Sequence, residues 1–173
     1  VCSSDLLATG MKSIEGKQDA ECKAVEDFRA ALDDASLDAV FIALPNFWHT
    51  PAALLAMQAG KHVYVEKPLS HDVVEGRVAV EAQKKYGVVV QHGTQRRSDA
   101  TTAGLHEALK SGKLPRLKIA YGYCCKPRGS IGTKAPSDPP ANLDWNLWKG
   151  PAVIDRYHPN FVHYKDRKST RLN

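Results

Sequence analysis

Three short polar corners in this chain gather residue types that can do chemistry. They are Pro45-Asn46, Glu66-Lys67-Pro68 and Gly93-Thr94-Gln95-Arg96-Arg97, and each follows an apolar run. Between them they offer carboxamides, a carboxylate, a primary amine and two guanidinium groups. An amide donates and accepts hydrogen bonds, an amine carries or releases a proton, and a guanidinium holds oxygen atoms with a fixed charge. Taken singly, each corner is an ordinary polar strand end, and Lys67 is a solvated loop lysine. Set side by side, the three line one binding crevice.

The elements ahead of the corners decide which. Residues 38–44 are apolar and rich in β-branched and aromatic side chains, as in a strand buried on both faces. Pro45-Asn46 stops that strand. Thr50 reads as a helix N-cap, with Pro51 at the first helical position, where its missing N–H costs nothing. Residues 52–59 are helix formers, and Gly60 is placed to end the helix. Residues 62–66 are again strand-like, closed by Lys67-Pro68. A link of this length containing a helix is a parallel crossover. Such crossovers are right-handed, so Asn46 and Lys67 emerge together on the edge where open α/β sheets bind ligands. A third buried-type strand, 88–92, brings Gln95, Arg96 and Arg97 to the same edge. One arginine facing the crevice would hold substrate oxygens; otherwise both are surface charges.

The rest of the chain reads more loosely. Residues 7–17 suit the tail of a helix and a turn, and 22–25 a short strand. Phe28, Ala31 and Leu32 share one helical face. Residues 72–86 form a helix opened by a capping box of Asp72 and Glu75, with Val74, Val78 and Ala82 at helical spacing and Gly87 at its end. A further helix spans 101–111, with Leu105 and Leu109 on one face and Gly112 as its cap. From Leu117 the pattern changes: Leu117, Ile119, Tyr121 and Tyr123 alternate with Lys118, Ala120, Gly122 and Cys124, as in a strand with one buried face. Residues 126–142 are a Pro-, Gly- and Ser-rich loop. A domain boundary falls at 112–115, and there are no internal repeats.

Composition excludes several classes. The 173 residues are 43% hydrophobic and 25% charged, which suits a globular chain, and no apolar run approaches a membrane span. The net charge is +5, but Lys165, Arg167, Lys168 and Arg171, against Asp166, carry most of it near one end. Without interleaved aromatic and basic residues, nucleic acid is not an expected partner. Cys2, Cys22, Cys124 and Cys125 form no C-x-x-C. Neighbouring Cys124 and Cys125 point to opposite faces of a strand, so free thiols in a reducing compartment are expected. A cytoplasmic setting is favoured, and a periplasmic one stays open because the native N-terminus is not in view. The histidines show no ligand spacing, so no metal is assigned.

With these motifs in hand, the chain resembles the Gfo/Idh/MocA family, the glucose-fructose oxidoreductase and inositol dehydrogenase group. The residues that carry the resemblance are DAVFIALPNFWH, AGKHVYVEKPLS, the GTQRRS loop, the SGKL turn, KPRGSIG and LDWNLWKGPA, across about residues 20–164. The EKP tripeptide after a strand, together with the upstream PNxxH, is the specific part. The resemblance implies a partial Rossmann-type parallel sheet over residues 1–114. The start of a second α/β domain, with a mixed or antiparallel sheet, follows over 115–173. It implies NAD or NADP as cofactor, a carbohydrate-like small-molecule substrate and a homo-oligomeric parent. It places Leu44, Pro45, Asn46, His49 and Gln95 along the dinucleotide, with Glu66 and Lys67 beside the nicotinamide. It gives the EKP lysine the substrate hydroxyl and its proton. An amine tuned toward neutral pH by burial or a cationic neighbour such as Arg96 or Arg97 can do that work. His49 otherwise decorates the start of a helix. Trp145 and Trp148 are packing residues, or Trp148 lies near the sugar. A cis bond before Pro68 is also expected, although cis is the minority state of X–Pro bonds.

The family pattern is incomplete. The chain has no G-x-G-x-x-G loop, which lets the backbone approach a pyrophosphate, and no acidic residue after a second strand. A βαβ unit of about 30 residues or more is therefore expected ahead of Val1. The family's D-x-x-x-H pair is expected beyond the other end. VCSSDL (1–6) and RKSTRLN (167–173) do not continue the pattern and read as foreign ends. The expectation is a largely inactive fragment of an NAD(P)-dependent oxidoreductase acting on a sugar, polyol or related carbinol. The alternatives in the same fold are a dinucleotide-binding sensor without turnover and a redox-assisted glycoside-cleaving enzyme.

Overall fold

Two short β-branched runs flanking a helix-forming stretch do what their spacing dictates. In the computed structural model they are β1 (Ala39–Ile42) and β2 (His62–Glu66), joined by α3 (Asn46–Gln58). The structure describes residues 4–17, 22–123, 130 and 132–162. Cys124 and Cys125, most of the KPRGSIG motif and the 167–173 end lie outside the described residues. So do residues 1–3 of the other end.

Ahead of the sheet come α1 (Ser4–Ile14) and α2 (Phe28–Leu32). After β2 the chain continues through α4 (Val73–Tyr86) into β3 (Val90–Gly93). A 3-10 turn over Gln95–Ser98 leads to α5 (Ala100–Lys110), and α6 (Trp145–Lys149) comes last. The sheet is parallel throughout, in the order β1-β2-β3. Its register pairs Ile42 with Val65 and Glu66 with Gly93, so the strands finish nearly level.

The core lies between one face of the sheet and α3. Ala52, Ala53, Ala56 and Met57 of α3 are buried against Val63 and Val65 of β2 and Ile42 of β1. Beside α3 packs α4, capped at one end by the Asp72 carboxylate on the Glu75 N–H and at the other by left-handed Gly87. That is the expected capping, with the Glu75 carboxylate returning to the His71 N–H. The buried face of α4 differs from expectation. Ala79 and Ala82 face the core, while Val74 and Val78 are exposed. Close helix contact selects the small side chains and leaves the valines outside.

Five further expectations are corrected. The helix after β1 begins at Asn46, not at Thr50, so Pro51 sits inside it. The Trp48 N–H already bonds to the Pro45 carbonyl, so the first turn forms ahead of the proline. Residues 22–25 form no strand, and residues 117–123 form none either. A strand is stable only when its N–H and C=O groups are paired, and no neighbouring strand among the described residues meets them. Leu117, Ile119, Tyr121 and Tyr123 are accordingly exposed. Leu105 of α5 is exposed as well; that helix touches the 95–98 turn and is held by its Asp99 cap. Val89, just ahead of β3, also faces outward, because the second face of the sheet is uncovered by the described residues.

The LDWNLWKGPA stretch is not detached from the sheet domain. Leu143, Trp145 and Trp148 join the same core. The Trp48 indole N–H donates to the carbonyls of Leu147 (3.0 Å) and Trp148 (3.2 Å), tying α6 to the start of α3. Gly150 has φ +53°, and a Cβ there would come within 2.4 Å of the Trp48 ring. Only glycine permits this approach.

Candidate functional site

Parallel pairing fixes where the corners go. Each strand leads out at the same edge, so 44–46, 67–69 and 94–97 follow the level ends of β1, β2 and β3. The first two corners are joined through α3. His49 is 2% exposed, and both its ring nitrogens meet backbone carbonyls. Nδ1 lies 2.5 Å from the Pro68 oxygen and Nε2 2.8 Å from the Leu44 oxygen. Next to it, the Thr50 hydroxyl donates to the Leu69 carbonyl at 2.8 Å. The Lys67–Pro68 bond just ahead of the Pro68 and Leu69 contacts is cis, as expected.

The second and third corners are joined by side chains. The Gln95 amide donates to one Glu66 carboxylate oxygen and, at 3.2 Å, to the Tyr64 hydroxyl. The other Glu66 oxygen accepts from the Lys67 N–H at 3.2 Å. Tyr64 stacks on Phe41 with ring centroids 4.6 Å apart. Gly93 is needed here, since a Cβ would meet the Tyr64 hydroxyl at 2.9 Å. The Lys67 side chain is exposed, and no ion pair engages its ammonium among the described residues.

Leu44, Pro45 and Asn46 are half-buried at the β1 tip. Arg96 and Arg97 are exposed on the 3-10 turn, and Arg96 lies 3.5 Å from the Asp99 carboxylate. Trp148 is buried, edge-on to Phe47 and stacked on Trp145. The structure thus brings Leu44, Pro45, Asn46, His49, Glu66, Lys67 and Gln95 to one edge, while Trp148 is committed to the core. Sequence reasoning passed over Tyr64, Gly93 and the reach of Thr50. The alternation of Tyr64 with Glu66 on one strand face was the available signal for the first.

Among the described residues, no group of three or more His, Cys, Asp or Glu side chains is arranged to hold a metal ion. No helix among them is long and apolar enough to cross a membrane.

Parallel strands joined by helical crossovers, with polar corners at their carboxyl ends, are one part of a doubly wound, dinucleotide-binding sheet. The chain belongs to the Gfo/Idh/MocA family: the model of that oxidoreductase family, described by its NAD-binding Rossmann fold, matches residues 6–94. The match starts earlier than the motifs alone indicated and takes in most of α1. The chain is 32% identical over 123 residues to scyllo-inositol 2-dehydrogenase (NAD(+)) of Bacillus subtilis, covering 71% of this chain and 36% of that protein. Myo-inositol 2-dehydrogenase of Thermotoga maritima is 27% identical over 152 residues, covering 88% of this chain and 42% of that one. Among solved structures, a probable dehydrogenase from Thermotoga maritima gives a TM-score of 0.56 at 28% identity, over 64% of this chain and 32% of that one. The chain spans about a third of the length of the first curated relatives it matches.

The hydrogen-bonding groups at this edge are of a kind that a nicotinamide cofactor could engage. The Gln95–Glu66 pair fixes hydrogen-bonding groups at the ends of β2 and β3, next to Lys67 in the chain. The glycine loop that would cradle the pyrophosphate is not in this sequence.

Proposed function

We propose that the protein carrying this chain is an NAD(P)-dependent oxidoreductase acting on a sugar, polyol or related carbinol. The carrying observation is the grouping of three strand-end corners at one sheet edge, with exposed Lys67 directly following Glu66, which is paired with Gln95. Membership of an oxidoreductase family and the inositol dehydrogenases among its relatives support the same reading.

In this reading Leu44, Pro45 and Asn46 flank the nicotinamide, and Glu66 and Gln95 orient it through hydrogen bonds. A bound nicotinamide would supply the acceptor for hydride leaving the carbinol carbon. Lys67 takes the hydroxyl proton as the carbonyl forms. In the reverse direction its ammonium polarises the carbonyl and returns the proton. Arg97 holds substrate oxygens; Arg96 is the weaker candidate because it leans on Asp99.

The test is made on the whole protein with a panel of carbon-deuterated inositols and sugars, offering NAD and NADP in turn. Deuterium appearing on the reduced dinucleotide supports the proposal and reports cofactor choice. Dinucleotide binding with no transfer across the panel would instead favour a sensor.

A further inference from the structure

His49 and Thr50 stand consecutively in α3, each 2% exposed, and every polar contact described for their side chains goes to a backbone carbonyl of a strand-end corner. One His49 nitrogen holds the Leu44 carbonyl after β1. The other holds Pro68, and Thr50 holds Leu69, the two residues that follow Lys67. The three acceptors therefore belong to two different corners, and the residue just ahead of Pro68 and Leu69 in the chain is the proposed proton carrier. Carbonyl oxygens only accept, and which ring nitrogen donates depends on the tautomer.

We propose that His49 and Thr50 form a clasp that positions Lys67, acting on the crevice through the loop backbone rather than by touching cofactor or substrate. The inference rests on the role proposed for Lys67 and adds the device that sets it. The physical reason is leverage. A long, exposed lysine side chain has many rotamers, so where its amine can reach depends on how firmly its backbone is anchored. Two buried side chains grip the residues just after Lys67 and leave its own side chain unencumbered. Small misplacements of a reacting group are expensive, and about 1 Å can cost about 10²-fold in rate.

The experiment uses the whole protein with Thr50→Val, Thr50→Ser, His49→Phe and, as a control, Lys67→Ala. Thr50→Val keeps the shape and removes the hydroxyl; Thr50→Ser keeps the hydroxyl. Three quantities are read: kcat on the carbinol, Kd for the dinucleotide by fluorescence, and hydrogen exchange of the 66–70 segment without cofactor. Thr50→Val and His49→Phe are expected to lower kcat by about tenfold or more. In both, exchange at 66–70 quickens and Kd changes little. Thr50→Ser restores both kcat and protection. Should His49→Phe fail to fold, the Thr50 pair decides alone. Unchanged kcat and unchanged exchange in Thr50→Val, with Lys67→Ala inactive, would overturn the clasp and leave the role of Lys67 standing. Weakened dinucleotide binding with retained kcat would overturn it in favour of direct cofactor contact. Near-normal turnover in Lys67→Ala would remove the function reading instead, while the exchange data still report whether the clasp holds the loop.

Discussion

At the scale of single residues, Lys67 is the group on which the proposed chemistry turns. Its amine is exposed at the β2 tip, and its backbone is held by the Glu66 carboxylate on one side and by the contacts to Pro68 and Leu69 on the other. A positioned acid–base group contributes about 10²–10⁴-fold to rate. In the whole protein, Lys67→Ala should therefore lower turnover by an amount in that range while dinucleotide affinity stays close to the parent value, as steady-state kinetics and a binding titration would show. Near-normal turnover would refute the role. The place of Lys67 at the end of β2 was legible because a specific tripeptide marks it. For Tyr64, alternation with Glu66 gives only the strand face; its contact with Gln95 depends on a cross-strand register that no local pattern contains. Thr50 was misread for a physical reason: Pro51 looks like a helix start, yet the helix had begun a turn earlier at Asn46.

At the scale of elements, two contacts carry testable weight. The first is the seat of α6 on α3, where Gly150 lets the Trp48 indole reach the Leu147 and Trp148 carbonyls. Gly150→Ala forces a Cβ into that ring at an unfavourable φ. It should cost about 2 kcal/mol, by analogy with overpacked cores, read as a lower midpoint in urea denaturation followed by tryptophan fluorescence. An unchanged midpoint would mean that α6 does not depend on this contact. The second is α2. The Arg29 side chain, hydrogen-bonded to Asp27, holds that carboxyl below its usual value of 3.8. A depressed folded value means the contribution is present above the unfolded value and is lost as pH falls through the folded one. The stability gap between the parent and Arg29→Gln should thus be constant near neutrality and close in acid, measured by denaturation across a pH series. A gap that persists in acid would assign it to packing of the Arg29 stem. Elements defined by local signals were readable: β2 and the capped α4 fall where the residues place them. The strand expected over 117–123 was not, since alternation specifies a face but cannot supply a partner to pair with.

At the scale of the whole molecule, the sheet is covered unequally. Helix α3, with α4 packed beside it, closes one face, and on the other Phe41 and Val89 remain 66% and 64% exposed. Parallel sheets ordinarily have both faces covered, and contiguous exposed apolar surface promotes association. This chain on its own should bind a hydrophobic dye and self-associate. The Phe41→Ser, Val89→Lys double variant should lessen both with little change in melting temperature, because neither side chain is in the core. Dye binding unaffected by those changes would place the sticky surface elsewhere, for example on the exposed 117–123 stretch. Composition alone did not reveal this asymmetry. The apolar runs 38–44 and 88–92 are those of strands covered on both sides, and the sequence pattern does not say which cover is in place.

The central claim is that these three corners surround a nicotinamide ring. The direct measurement is a crystal structure of the whole protein with its dinucleotide bound. The expected result is the reactive carbon of the nicotinamide in the crevice between Asn46, Lys67 and Gln95, with the Lys67 amine facing the open side where a carbinol would lie. A dinucleotide seated away from this edge, or a Lys67 side chain turned out of the crevice, would contradict the account.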